Sequence, residues 1–284
     1  MMKMLFTLAL TIASAPVNNG EITLLHDGFP ISTTTREDFQ LAPFDSAVIN
    51  HDELNLYIHT LEKKVYTPPQ NAFIDASGNL VGEHNGHRLD PGKFKKAYFM
   101  SYFQKGAKQF EIPLKPVYPK VDSELLSQIK TKVIGRYITY FNPGNAERSN
   151  NIQLAAAAIN NTVIFPNETF SFNQTVGKRT KDRGYLPVPI IIRGELSEGV
   201  GGGICQVSST LFNAVDKAGV TILERYSHSR KVPYVPPKRD ATVSWYGPDF
   251  TFKNPHNQPI LIRSKVTGGQ VVITIYSSEG IKIK

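Results

Sequence analysis

Three glycines in a row, Gly201-Gly202-Gly203, lead directly into Ile204-Cys205-Gln206-Val207-Ser208-Ser209-Thr210-Leu211-Phe212-Asn213-Ala214, and this junction constrains the chain more than any other segment. Glycine loses more backbone freedom on folding than any other residue, so such a run suits a turn with positive φ or a close backbone approach. The stretch after it reads as a helix ending around Gly219. The turn therefore delivers Cys205 to a helix N-terminus, where free N–H groups and the positive end of the helix dipole favour an anion. That setting lowers a thiol pKa and favours the thiolate, the form that attacks carbonyls.

Cys205 is the 1 cysteine in 284 residues, so no intramolecular disulfide forms, and the thiol is either a packed small hydrophobe or a reactive group. The length suffices for one large or two ordinary domains with a self-sufficient core. Hydrophobic residues at 40% and charged residues at 20% exclude a disordered chain. A net charge of +8 and a pI near 9.4 imply attraction to polyanions such as nucleic acid, anionic lipid or cell-wall polymers. No RNA-binding aromatic signature, zinc-finger spacing or recognition-helix pattern accompanies the basic residues, which argues against nucleic acid.

Lys3, the apolar run Leu5 to Ile12 and Ala13-Ser14-Ala15 read as the three regions of an export signal. Residues 1–15 are thus expected to be a signal peptide or, since Pro16 follows the cleavage site, an uncleaved N-terminal anchor. That anchor is the one expected membrane contact, because no segment reaches the roughly 20 apolar residues of a spanning helix.

The remainder divides near residue 120 into an expected domain at 16–127 and a second at 128–284. Leu54, Ile58, Leu61 and Val65 fall on one stripe of a helix from Asp52 to Val65, stopped by Pro68-Pro69. Ala72-Phe73-Ile74 and the Ser77-Gly78-Asn79 turn predict a short hairpin. Asp90-Pro91 opens a helix through about Gln104. Phe110 to Val117, rich in proline, suits an edge strand or linker. Farther on, Ile152 to Ile159 is a helix, Val188 to Ile192 a strand, and Pro259 to Val266 with Gln270 to Tyr276 a hairpin around Gly268-Gly269. Helices and strands are segregated, so the fold class is α+β.

The blocks Phe170-Ser171-Phe172-Asn173, Gly177-Lys178-Arg179-Thr180 and Gly201 to Ala214, followed by His228-Ser229, Tyr234, Asp240-Ala241-Thr242-Val243 and Asp249, resemble the VanW-like family in order. The resemblance spans roughly residues 134–276. The family pattern has glycine where Asn167 and Lys238 stand, both at expected turns. Pro69 with Asn71-Ala72-Phe73, Gly86 with Leu89-Asp90, and Ile112-Pro113-Leu114 resemble the peptidoglycan-binding domain that often precedes VanW-like domains in Gram-positive bacteria. The resemblance implies an extracytoplasmic protein, secreted or attached to the cell wall, with peptidoglycan or another wall polymer as partner. It carries an association with vancomycin resistance but no established reaction.

The chemistry follows from the residues. His228 and Asp240 come after Cys205 in the order nucleophile, base, orienting acid, on segments expected to be strands, Glu224 to His228 and Asp240 to Trp245. A glycine turn with cysteine at a helix N-terminus resembles papain-like and transglutaminase-like enzymes. One reading is thus acyl transfer by Cys205, His228 and Asp240, with Gln206 and nearby backbone amides as oxyanion donors. A second keeps Cys205 as packing, His228 in a hydrogen-bond network and Asp240 paired with Arg179 or Arg239. A third is a non-catalytic wall-binding module in which Gly202, Gly203, Arg179, Tyr185, Ser208, Tyr234 and Arg239 hold the ligand, with Tyr185, Tyr226, Tyr234 and Trp245 available to stack on sugar rings. His84-x-x-His87 sits in a turn-rich context with no partner cysteine, so neither metal nor cofactor is expected.

Overall fold

Ile22 and Leu24 alternate with less buried neighbours along β1 (Ile22–His26), which turns back at Asp27-Gly28 into antiparallel β2 (Phe29–Thr34). Both turn residues have positive φ, 51° and 79°, the geometry that favours Asp-Gly in two-residue hairpins. The computed structural model describes residues 20–41, 48–104, 106–192 and 195–283, so the expected export segment lies outside the described residues. The apolar stripe predicted from Asp52 forms α1 (His51–Val65), capped by the Asn50 side chain accepting from the Asp52 and Glu53 amides. The short pair β3 (Phe73–Ile74) and β4 (Leu80–Val81) is the expected hairpin. After β5 (Gly86–Leu89), Asp90 caps α2 (Pro91–Tyr102) by accepting from the Lys93 amide at 3.1 Å. The proline-rich segment that follows is two strands, β6 (Lys108–Glu111) and β7 (Leu114–Val117).

Next come α3 (Ser123–Ile129), β8 (Lys132–Tyr140) and α4 (Ala146–Ile159). β9 (Thr162–Ile164), β10 (Thr169–Ser171) and α5 (Phe172–Val176) lead to the hairpin β11 (Pro187–Ile192) and β12 (Glu195–Val200). The glycine turn opens α6 (Ile204–Lys217), followed by β13 (Thr221–Glu224), β14 (Thr251–Lys253) and the C-terminal hairpin β15 (Ile260–Thr267) and β16 (Gln270–Ser277). The mixture is α+β. Among the described residues no helix is long and apolar enough to cross a membrane.

The described residues form two units, those within 20–70 and 84–120 and those within 71–83 and 121–283. The β3–β4 hairpin and residues 121–127, grouped with the N-terminal part by sequence, therefore fold with the second unit. The first unit holds the mixed sheet β2-β1-β6 and the pair β5-β7 around a core of Leu54, Leu61, Phe94, Tyr98 and Tyr102. The second holds the antiparallel sheet β8-β16-β15-β9, with α4 against β15 and α6 against β8 and β16. Close approach explains Gly135 in β8, since a Cβ there would fall 2.2 Å from the Ala214 carbonyl of α6. A smaller three-stranded sheet, β10-β14-β13, brings Phe170 and Phe252 into stacked contact.

Candidate functional site

The glycine turn is built into the second unit from two sides. Gly201 and Gly203 have φ of 98° and 104°, conformations that L side chains rarely adopt. A Cβ at Gly201 would meet Arg179 Cβ at 3.2 Å, and one at Gly203 would meet Arg148 Cγ at 3.1 Å. Buried Asn151 of α4 holds the turn by donating to the Gly202 carbonyl at 3.2 Å and to Leu186 O at 2.9 Å. Ile204 N–H reaches Gly201 O at 3.4 Å and Gln206 N–H reaches Gly203 O at 3.0 Å. The Cys205 N–H between them has no acceptor among the described residues.

α6 then anchors the segment that carries the acid. Ser208 Oγ donates to Ala241 O at 2.5 Å, Ser209 Oγ accepts from Ala241 N–H at 2.9 Å, and Asn213 donates to Arg239 O at 2.8 Å. Asp240 is thereby fixed one residue from each tie. Its Oδ2 accepts from both the backbone N–H and Nδ1 of His228, each at 2.6 Å. With Nδ1–H committed to the carboxylate, the other ring nitrogen is available to act on Cys205, which lines the same cleft. Cys205 Sγ is half-buried, 3.8 Å from Thr242 Oγ1 and 3.5 Å from Val243 O.

Burial by itself raises the thiol pKa, yet the hydrogen bond and charge of His228 outweigh it and hold Cys205 below the ordinary thiol value. Burial likewise pulls His228 down, and the thiolate followed by Asp240 reverses this, so the imidazole is raised. Asp240 is opposed by desolvation, but its bonds to His228 keep it below the usual carboxylate range. The three groups thus favour a thiolate–imidazolium pair backed by a carboxylate. Cys205 and His228 open on a cleft of about 890 Å³ that Tyr140, Arg148, Arg179, Tyr234 and Trp245 help to line.

Residues 147–276 match the family model described as VanW like protein. A Bacillus subtilis protein described as uncharacterized protein YoaR is 50% identical over 281 residues, covering 99% of this chain and 93% of that protein. The chain belongs to the VanW-like family. The Vancomycin B-type resistance protein VanW of Enterococcus faecalis is 38% identical over 78 residues, 28% of this chain and 28% of that protein. No solved structure matches.

Within the VanW-like region, Cys205, His228, Asp240, Gly202, Gly203, Arg179 and Tyr234 come together at or directly behind the cleft. Four expected roles are corrected by the geometry. Gln206 is buried and its amide is saturated, donating to Thr139 Oγ1 and Tyr140 O at 3.0 Å each and accepting from Arg148 at 2.8 Å, so it ties α6 to β8 and leaves no side-chain donor for an oxyanion. Ser208 is buried against Ala241. Tyr185 is 2% exposed and belongs to the core, where no sugar reaches it. Arg239 lies over the Phe212 ring and pairs with Asp216 at 2.8 Å, away from the cleft lining. The segments of His228 and Asp240 are loops joined by the single bridge Tyr226–Thr242, not the strands expected there. Arg148 lines the cleft unanticipated, and so do Thr242 and Val243, which the family block contains without a role. Asn173 was quoted in the family block without a role, and it ties the far wall by donating to Ser244 O and Pro248 O.

Proposed function

We propose that this VanW-like chain is an exported cell-envelope enzyme that performs acyl transfer on the peptides of peptidoglycan. The observation that carries the reading is the 2.6 Å contact between His228 Nδ1 and Asp240 Oδ2, with His228 and Cys205 lining one open cleft. The Cys205 thiolate attacks a peptide carbonyl carbon, and the carbonyl electrons move onto oxygen beside the free Cys205 N–H. His228 gives its proton to the departing amine, leaving a thioester. Water or an acceptor amine then attacks the thioester, His228 takes that proton, and the thiolate returns. Asp240 keeps the imidazole oriented and supports its charge.

Iodoacetamide tests the reading on folded protein near neutral pH. Cys205 is expected to alkylate faster than a free cysteine model compound, and His228→Ala and Asp240→Asn are expected to slow it in protein that is still folded. Labelling only upon unfolding overturns the reading. Delivery of a reporter outside the cytoplasm by residues 1–20 tests export, and cytoplasmic retention overturns it.

Exposed Tyr140, Trp245 and Tyr246 at the cleft support a second reading, a wall-binding module whose rings stack on glycan. Here Cys205→Ala protein co-sediments with cell walls at about 0.5 M salt, where surface charge is screened. Loss of binding at that salt leaves basic charge as its cause and removes the module.

A further inference from the structure

We infer that Arg148 and Arg179 form a carboxylate subsite beside Cys205, which makes the substrate a peptide bearing a free carboxylate next to the bond under attack. The choice of a carboxylate rests on the acyl-transfer reading above, while the anion subsite stands on its own geometry. The aliphatic stems of the two arginines lie against the glycine turn on either side, Arg179 beside Gly201 and Arg148 beside Gly203, four and two residues before the sulfur-bearing position. Both side chains line the cleft.

Neither guanidinium meets a carboxylate among the described residues. Arg148 Nη2 donates to the neutral amide oxygen of Gln206 at 2.8 Å, and Arg179 Nη2 to that of Asn173 at 2.7 Å. Arg179 Nη1 is buried with no hydrogen-bond partner among the described residues. A buried cationic donor without an acceptor is costly, and such an atom at a ligand cleft is accounted for by an acceptor that arrives with the ligand. The described lining also includes Lys178 and Lys231 and no aspartate or glutamate. Gln206 and Asn173 are themselves fixed by further hydrogen bonds, so both forks are preset before binding. Planar guanidinium forks match a carboxylate in two parallel bonds, and an anion that a peptide carries within a residue of its scissile carbonyl is a C-terminal or side-chain carboxylate.

Two electrophiles of nearly equal size read this subsite through Cys205 in the full chain, iodoacetate with a carboxylate and iodoacetamide without. At a pH where the thiolate is fully formed, the iodoacetate-to-iodoacetamide rate ratio is expected to exceed that of N-acetylcysteine amide. Arg179→Gln is expected to lower that ratio about tenfold, the worth of one charge-assisted contact. Arg179→Lys, which keeps charge but loses the fork, falls between. An equal loss in Lys178→Gln, or none in Arg179→Gln, overturns the subsite. Slow iodoacetamide labelling of the folded protein instead sinks the acyl-transfer reading alone, and the subsite is then read in Cys205→Ser protein by thermal shift. There N-acetyl-alanyl-alanine is expected to raise the melting temperature and its C-terminal amide is not. A shift with inorganic phosphate but none with the acid, or equal shifts with acid and amide, overturns the carboxylate assignment.

Discussion

In the first unit the buried polar atoms sit at the tips of aromatic rings, whereas in the second the largest group of them lines one helix. Tyr98 meets Thr34 at 3.0 Å, Tyr57 reaches Ser32 at 2.8 Å and Tyr102 reaches Arg36 O at 3.2 Å, each ring otherwise packed among Phe39, Phe94 and Leu61. Along α6, by contrast, Gln206, Ser208, Ser209, Thr210 and Asn213 are all essentially inaccessible. Their bonds run to β8, to Arg239–Ala241 and back along the helix. Apolar side chains would fill the same volume without desolvating hydroxyls and amides. What the polar residues add is register, because a hydrogen bond fixes a backbone segment to within tenths of an ångström where apolar packing tolerates shifts. The first unit is held together by aromatic packing, and the second uses polar burial to hold His228 and Asp240 in place behind Cys205.

The largest effect that separates the two is in the aromatic core. Phe94 is fully buried and stacked on Tyr98 at 5.7 Å, so Phe94→Ala is expected to cost about 3–5 kcal/mol in chemical denaturation. Alkylation of Cys205 by iodoacetamide is expected to remain at the wild-type rate while the protein is folded. A slowed rate would mean that the first unit's packing bears on the site, and the contrast would break.

Gln206→Leu is the counterpart in the second unit and a smaller one. It conserves volume, removes three hydrogen bonds and leaves Thr139, Tyr140 O and Arg148 without their partner, a loss of about 1–3 kcal/mol. Unlike Phe94→Ala it is expected to change the iodoacetate-to-iodoacetamide ratio, since Arg148 loses its anchor. Stability loss with an unchanged ratio would show that α6 polarity is packing by other means.

A pH profile sharpens the contrast further. Cys205 is lowered, so its ionisation stabilises the fold above the unfolded thiol's pKa, and this contribution fades as pH falls through the folded value. His228 is raised, so its protonation stabilises below the ordinary imidazole pKa and is lost as pH rises through the folded one. Asp240, lowered, contributes above the ordinary carboxylate value and is lost on acidification. The alkylation rate is therefore expected to rise with a midpoint below that of a free thiol. In Asp240→Asn the midpoint moves up, because the imidazolium that supports the thiolate has lost its own support. An unmoved midpoint would assign Asp240 to structure alone.

Much of this was legible along the chain, and the part that was not has a common cause. Helices α1, α2 and α6 and the C-terminal hairpin announce themselves through local signals: an apolar stripe, Asp90-Pro91, a glycine turn, a Gly-Gly loop. Cys205, His228 and Asp240 stand out in the sequence by residue type and order, and the fold brings His228 onto Asp240. The demotion of Gln206, Ser208, Tyr185 and Arg239 was not readable, since each is decided by a partner far along the chain, such as Thr139 for Gln206 or Ala241 for Ser208. Arg148 escaped notice for the same reason, because its site is made by Gly203, which lies more than fifty residues later in the sequence.

The two positions where the family pattern has glycine provide the finest test of whether positioning and chemistry are separable. Asn167 and Lys238 both adopt the left-handed region, with φ of 66° and 64°. Asparagine tolerates that conformation, but a lysine Cβ crowds the following carbonyl oxygen at a cost of about 1–2 kcal/mol. Lys238 closes the turn in which Arg239 N–H reaches Pro236 O at 3.1 Å, immediately before Asp240, and its side chain is exposed and absent from the cleft lining. Lys238→Gly relieves the crowding and frees the unfolded chain by about 0.4–1 kcal/mol, so the net expected gain is about 0–1.6 kcal/mol. Because the backbone conformation is conserved, the alkylation rate and its pH midpoint are expected to match wild type. A destabilised Lys238→Gly with an altered midpoint would show that strain at this turn presses Asp240 against His228, making the turn part of the site and not only its support.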